Sequence, residues 1–192
     1  MSSQVSSPPR AGLNARQAQT VSRLLAAADQ ELGEVGADAL TVRSVALRAG
    51  VSSATAYTYL ASRNHLFAEL FLRHLHSDRP PAPAGPDPVA RVQACTRHLA
   101  RSLAASPELA AGVTAALLGS DPDVARLRLR IGAEYVERFR EALGEGAAPA
   151  VVETLALAFS GALLQAGMGL MTYTEMGERL DLVVATILRG HT

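Results

Sequence analysis

Thr41–Leu66 reads TVRSVALRAGVSSATAYTYLASRNHL, and the order of its caps, glycine and apolar residues decides the fold. Thr41 stands as an N-cap ahead of a helix over 42–49, in which Val45 and Ala46 face inward while Arg43, Ser44 and Arg48 can face outward. Gly50 stops this helix, because glycine tolerates the left-handed backbone that a tight turn requires. Ser52 then caps a second short helix, 53–60, and Ser62 caps a third, 63–76, whose apolar side is Leu66, Phe67, Leu70 and Phe71. Ala46 is small enough to let the first two helices cross closely, and Val51 plugs the angle between them. Two short helices joined in this way make a helix-turn-helix, whose second helix is stiff enough to enter a major groove as a rod.

Outward from this core, a longer periodic segment precedes it. Val21, Leu24, Leu25, Ala28, Leu32 and Val35 share one face of a helix over 15–35, and Gly36 is placed to end it. Residues 1–14 are rich in Ser and Pro and are expected to form a flexible arm. On the other side, Pro80, Pro81, Pro83, Pro86 and Pro88 exclude a helix between 77 and 88. That linker divides a DNA-binding domain, 15–76, from a second helical domain, 89–192. The pattern there predicts helices over 88–105, 107–118, 122–143, 149–172 and 175–189, with Pro107, Pro122 and Pro149 in first turns.

Composition narrows the function classes. The chain has 192 residues and is 48% hydrophobic but only 4% aromatic, a balance that favours an all-α protein. All 18 basic residues are arginine and the net charge is zero. Residues 1–79 nonetheless hold eight arginines against six acidic residues, the sign that a nucleic-acid-binding half needs. The single cysteine, Cys95, excludes an intrachain disulfide and fits a cytoplasmic protein. The first ten residues lack the apolar core of a signal peptide. Leu155–Met171 is strongly apolar, but Ser160, Gly161, Gln165, Gly167 and Gly169 interrupt it, so a buried helix is expected and no membrane span.

The quoted stretch resembles the signature of the TetR family of transcriptional regulators. That signature is a long helix ending in Gly, then Thr, Ile/Val-Ala, Ala-Gly-Val-Ser, Gly-Thr-Leu-Tyr-x-Tyr-Phe, Ser-Lys and a Leu. Gly36, Thr41, Val45-Ala46, Ala49-Gly50-Val51-Ser52, Thr55, Tyr57, Tyr59, Ser62 and Leu66 match it in register. Ala54, Ala56, Leu60 and Arg63 stand where the family has Gly, Leu, Phe and Lys, and each keeps the small, apolar or cationic character of its site. The resemblance is strong over residues 15–75; beyond them only length, helix pattern and apolar character agree.

The resemblance implies a TetR-like fold: an N-terminal three-helix DNA-binding domain followed by a C-terminal helical domain for ligand binding and dimerisation. It implies a homodimer, paired through the last two helices, on double-stranded operator DNA of palindromic sequence. Chemistry and family together assign phosphate contacts to Thr41, Thr55, Tyr57, Tyr59 and Arg63. They assign base reading to Arg43, Ser53, Ala54 and Thr58, with Arg10 and Arg16 reaching the backbone or an adjacent minor groove. The effector site is expected inside the C-terminal domain. Its apolar candidates are Leu99, Leu103, Val113, Leu117, Tyr135, Phe139, Phe159, Leu163 and Met168, and its polar ones His98, Thr114, Gln165 and Tyr173. A weak similarity of the last third to regulators of sterol and lipid catabolism points to a small hydrophobic effector, lipid-derived or an acyl-CoA.

No Ser/His/Asp arrangement, paired acids or metal-ligand spacing stands out, so neither an enzyme nor a cofactor is expected. His74 and His76 are two residues apart and face different sides of their helix. The resemblance implies a repressor that a small effector releases from its operator; the alternatives are an activator of the same fold and a helical interaction protein that does not bind DNA.

Overall fold

The computed structural model describes residues 15–80 and 84–189. Among them the chain forms nine helices and no strand: α1 (Ala15–Ala39), α2 (Val42–Arg48), α3 (Ser53–Tyr59), α4 (Arg63–Ser77), α5 (Pro88–Ala105), α6 (Pro107–Leu118), α7 (Pro122–Leu143), α8 (Pro149–Gly167) and α9 (Tyr173–Arg189). The expected arm with Arg10, and Pro81 and Pro83 of the linker, lie outside the described residues.

The caps explain the boundaries. Thr41 Oγ1 accepts from the Ser44 amide at 3.0 Å, Ser52 Oγ from Thr55 at 3.1 Å and Ser62 Oγ from His65 at 3.0 Å. Each satisfies an amide that the helix start leaves unpaired and contributes about 1 kcal/mol. Prolines 88, 107, 122 and 149 occupy first turns. Gly36 leaves helical geometry at φ 74°, so α1 proper stops there and a short turn follows.

The helix expected over 149–172 stops five residues sooner, at Gly167. Gly169 takes φ 75°, its amide bonds the Ala166 carbonyl at 2.9 Å, and the Leu170 amide bonds the Gln165 carbonyl at 3.0 Å. This paired closure ends a helix through a left-handed glycine. Thr172 and Glu175 then cap each other's backbone at 3.1 and 2.7 Å and start α9 at Tyr173.

Burial follows the apolar stripes with exceptions on three helices. Val35, expected inside, is 41% exposed, because the chain turns away at Gly36. α8, expected to be buried on more than one side, leaves Leu157 68% and Leu164 37% exposed in the single chain. Leu182 and Val183 of α9 are also exposed, at 68% and 37%. The two last helices therefore pack on each other and still carry uncovered apolar surface.

α4 ties the two halves together. It packs on α1, α6 and α7, and Leu66, Phe67, Leu70 and Phe71 are all buried. Phe67 lies so close to Gly112 of α6 that a Cβ there would meet its ring at 2.2 Å. At the start of α4, Ser62 Oγ donates to Asp121 Oδ2 at 2.6 Å. At its end, the buried Arg138 of α7 donates to the Leu75 carbonyl, His76 meets Glu134 at 3.1 Å and Arg79 meets Glu141 at 2.5 Å. α7 thus holds both ends of α4.

Candidate nucleic-acid interface and adjoining cavity

The turn between α2 and α3 is built like the end of α8. Gly50 takes φ 64°, its amide bonds the Leu47 carbonyl at 3.1 Å, and the Val51 amide bonds the Ala46 carbonyl at 3.0 Å. Two of the carbonyls left unpaired at the end of α2 are thereby satisfied and the angle between the helices is set. α1 braces the pair: Arg23 Nη2 donates to the Ala49 carbonyl at 2.6 Å, and Arg48 bonds Glu31 and Glu34. The carboxylates of Glu34 and Glu31 hold Arg48 more firmly protonated than a free arginine. Ala56, fully buried, is the only residue of α3 that is buried, so most of that short helix stands on the surface.

On the open side of this unit the sequence-selected residues divide into two groups. Arg43, Ala54, Tyr57 and Thr58 are exposed. Arg43 makes no hydrogen bond or ion pair among the described residues, and Tyr57 is 47% exposed. Thr58 donates its hydroxyl to the Ala54 carbonyl at 3.0 Å, which leaves its oxygen lone pairs and methyl group on the surface. Ser53, Thr55 and Tyr59 are half-buried. Thr55 Oγ1 lies 2.8 Å from Ser52 Oγ, Tyr59 packs against the core, and the exposed Thr41 spends its hydroxyl on the α2 cap.

Arg63 is exposed, but its guanidinium is engaged within the chain. Its Nε donates to the Leu40 carbonyl at 3.1 Å and its Nη2 to the Ala37 carbonyl at 2.5 Å, with the guanidinium 5.0 Å from the centre of the Phe67 ring. It closes the turn that follows α1. Glu108, in the first turn of α6, accepts from the Ala37 amide of the same turn at 2.7 Å. Sequence reasoning did not find this tie or the Ser62–Asp121 bond; both join residues more than 50 positions apart. Ser62 and Asp121 each had the local signature of an N-cap, the only sign available in sequence.

Beneath this unit, a cavity of about 270 Å³ opens between α6, α7 and α8. Its inner end is closed by Phe71 of α4, Leu103 of α5 and Ile131 of α7, all buried; its outer rim is formed by the exposed Leu118, Arg128 and Leu164. Of the expected effector residues, Leu103, Val113, Thr114, Leu117, Tyr135 and Leu163 line it. Burial pushes the Tyr135 hydroxyl well above its ordinary range, and that hydroxyl has no hydrogen-bond partner among the described residues.

The other expected effector residues lie elsewhere. His98 bonds the Asp78 carbonyl at 3.1 Å and faces its carboxylate at 3.3 Å. Phe139 and Phe159 pack edge-to-face at 5.6 Å in the core, and Leu99 is buried away from the cavity. Gln165 and Met168 are exposed, and Tyr173 belongs to the first turn of α9. Met168, the C-cap of α8, stands on the side of that helix opposite Val151, Leu155, Phe159 and Ala166. Phe71, Leu118, Arg128, Ile131, Gly132, Ser160 and Leu164 were not anticipated. Arg128, Ile131, Gly132 and Tyr135 recur at helical spacing, a signal present in the sequence.

Comparison with known proteins matches this geometry. The family model described as bacterial regulatory proteins, tetR family, matches residues 24–70. An HTH-type transcriptional regulator of Mycobacterium tuberculosis is 47% identical over 179 residues, covering 92% of this chain and 84% of the relative, and one from Mycobacterium bovis matches equally. Among solved structures, a TetR transcriptional regulator from Rhodococcus sp. RHA1 superposes with a TM-score of 0.73 at 17% identity, over 91% of this chain and 99% of its own. Thermus thermophilus FadR, a TetR-family repressor in complex with lauroyl-CoA, gives 0.66 at 21% identity over 89% and 94%. At those identities the two structures establish the shared fold.

Proposed function

The chain belongs to the TetR family of bacterial regulatory proteins, and from that membership we propose a ligand-responsive repressor that holds a palindromic operator as a homodimer and releases it when a small hydrophobic molecule enters the α6–α8 cavity. It is a transcriptional regulator and not an enzyme. The observation that carries the repressor reading is the open side of the α2–α3 unit, where Arg43, Ala54, Tyr57 and Thr58 stand exposed on two short helices braced from behind by α1. Arg43 suits bidentate contact with guanine, and Ala54 and the Thr58 methyl suit a thymine methyl. Ser53 stands with this base-reading group, while Thr55, Tyr57 and Tyr59 supply hydroxyls for phosphate oxygens and Thr41 serves the α2 cap beside them. Arg63, engaged with Ala37 and Leu40, acts as a strut in this scheme.

One short reading helix covers too few base pairs for a unique address, and pairing two copies solves that. The uncovered Leu157, Leu164, Leu182 and Val183 support pairing through α8 and α9. The division into a DNA-binding domain before the linker and a sensing domain after it belongs to the same reading, as does a cytoplasmic location. The lauroyl-CoA bound by the Thermus relative supports a lipid-derived or acyl-CoA effector.

The mechanism is a shift between two forms. In one, the paired α3 helices stand about one DNA turn apart, roughly 34–36 Å. In the other, α4 tilts and that spacing is lost. The effector moves the balance only by its difference in affinity for the two forms. A gel shift on the DNA flanking its own gene tests this reading: specific retardation that weakens steeply with salt supports it, and equal retardation of random duplex opposes it.

A further inference from the structure

Arg128 is the only charged side chain that lines the cavity among the described residues, and it stands on the exposed rim. Its Nε donates to the Leu117 carbonyl and its Nη2 to the Gly119 carbonyl, each at 2.8 Å. These are carbonyls left unpaired at the end of α6, so the guanidinium closes that helix. No carboxylate pairs with it among the described residues, and Nη1 has no partner there. The cavity therefore runs from an apolar inner end at Phe71 and Leu103 to a rim that carries one uncompensated positive charge.

Building on the effector reading above, we infer that the effector is an amphiphilic anion, its alkyl chain directed toward Phe71 and its acidic head group held at the rim by Arg128. An anion there offers the guanidinium charge-assisted bonds stronger than those to two neutral carbonyls. Drawing Arg128 outward loosens the turn over 117–121. That turn carries Asp121, which holds Ser62 at the start of α4. The head group thus acts on the turn that anchors the DNA-binding unit, while the alkyl chain fills the cavity.

The test is calorimetric titration of the purified full-length chain with decanoate, decanol and decanoyl-CoA. The variants are Arg128→Gln, which keeps N–H donors for the two carbonyls and removes the charge, and Gly132→Leu. Gly132 is exposed at the mouth of the cavity with nothing within 4 Å of where its Cβ would stand, so leucine there narrows the mouth without a clash. The expected result is that at least one anionic probe binds about tenfold or more tightly than decanol, that Arg128→Gln erases this preference, and that Gly132→Leu weakens binding of every probe. Preference for decanoate over decanoyl-CoA identifies a free carboxylate as the head group, and the reverse identifies the phosphates of a coenzyme A thioester. Equal binding of decanol and both anions, or an anion preference that survives in Arg128→Gln, overturns the inference while leaving the cavity as the effector site. Binding unaltered by Gly132→Leu, or no binding of any probe, overturns the cavity reading as well. Thermal unfolding of Arg128→Gln alongside wild type verifies that the variant is folded.

Discussion

Ser62 Oγ and Asp121 Oδ2 lie 2.6 Å apart, joining the N-cap of α4 to the N-cap of α7. The hydrogen bond from Ser62 is the main cause holding the Asp121 carboxyl below its ordinary value of 3.8, with the Asp123 amide next. A depressed carboxyl stabilises the fold above its unfolded value and loses that contribution as pH falls through the folded value. Asp121→Ala should therefore lower the melting temperature at neutral pH and narrow its gap to wild type as pH falls below 3.8. Thermal unfolding at stepped pH checks this; an equal gap at every pH contradicts it.

The contact between Phe67 and Gly112 leaves no room for a methyl group, since a Cβ would stand 2.2 Å from the ring. Gly112→Ala should destabilise the protein by about 1–3 kcal/mol, the usual range for overpacking. Gly33 of α1 faces open space at the same test, so Gly33→Ala should instead stabilise α1 by about 0.5–1 kcal/mol. Urea unfolding of the two variants gives opposite signs if the packing is as described.

Cys95 is buried in α5, and burial pushes its thiol up to about 11. Only the thiolate reacts readily, so an aromatic disulfide reagent at pH 8 should modify the native protein no faster than the protein opens. Rapid modification of the native chain contradicts the packing of α5.

Arg43 is exposed and has no intrachain partner among the described residues, so its removal should leave stability unchanged. If it reads a base, Arg43→Ala should weaken operator binding by about 1–3 kcal/mol and relax preference at one position of each half-site. Arg63→Ala should do the reverse and lower the melting temperature, because Arg63 bonds Ala37 and Leu40 within the protein. Paired melting and binding measurements separate the two roles.

Leu157 and Leu182 are each 68% exposed on helices that are otherwise packed together. Leu157→Glu with Leu182→Glu should raise the dimer dissociation constant about a hundredfold, equivalent to roughly 3 kcal/mol, by placing charge on an apolar contact. Sedimentation equilibrium measures it. A wild-type chain that is monomeric at all concentrations contradicts pairing through this face.

The fold was legible because its boundaries are set by local chemistry. Thr41, Ser52 and Ser62 cap, Gly36 and Gly50 turn, and the prolines sit where first turns begin; each acts on residues a few positions away. The open side of α2 and α3 was legible for the same reason, since helical spacing separates Arg43 and Thr58 from Val45 and Ala56. The cavity was half legible. Thr114, Leu117 and Tyr135 lie on apolar stripes, but which stripe faces an opening depends on how α6, α7 and α8 cross. Gln165 and Met168 lie off the face of α8 that Leu155, Phe159 and Ala166 bury, and a helix apolar on nearly all sides does not mark that face in its sequence. Arg128 escaped notice because an arginine on an exposed helix face reads as a solvated charge until its carbonyl partners are seen.

The central claim is that two copies present α3 to successive grooves of one duplex. Its most direct measurement is equilibrium binding to the inverted repeat beside its own gene, compared with the same duplex carrying about five extra base pairs, half a DNA turn, between the half-sites. Retention of the native repeat and loss of binding to the lengthened one is the expected result. Equal affinity for both duplexes would contradict it.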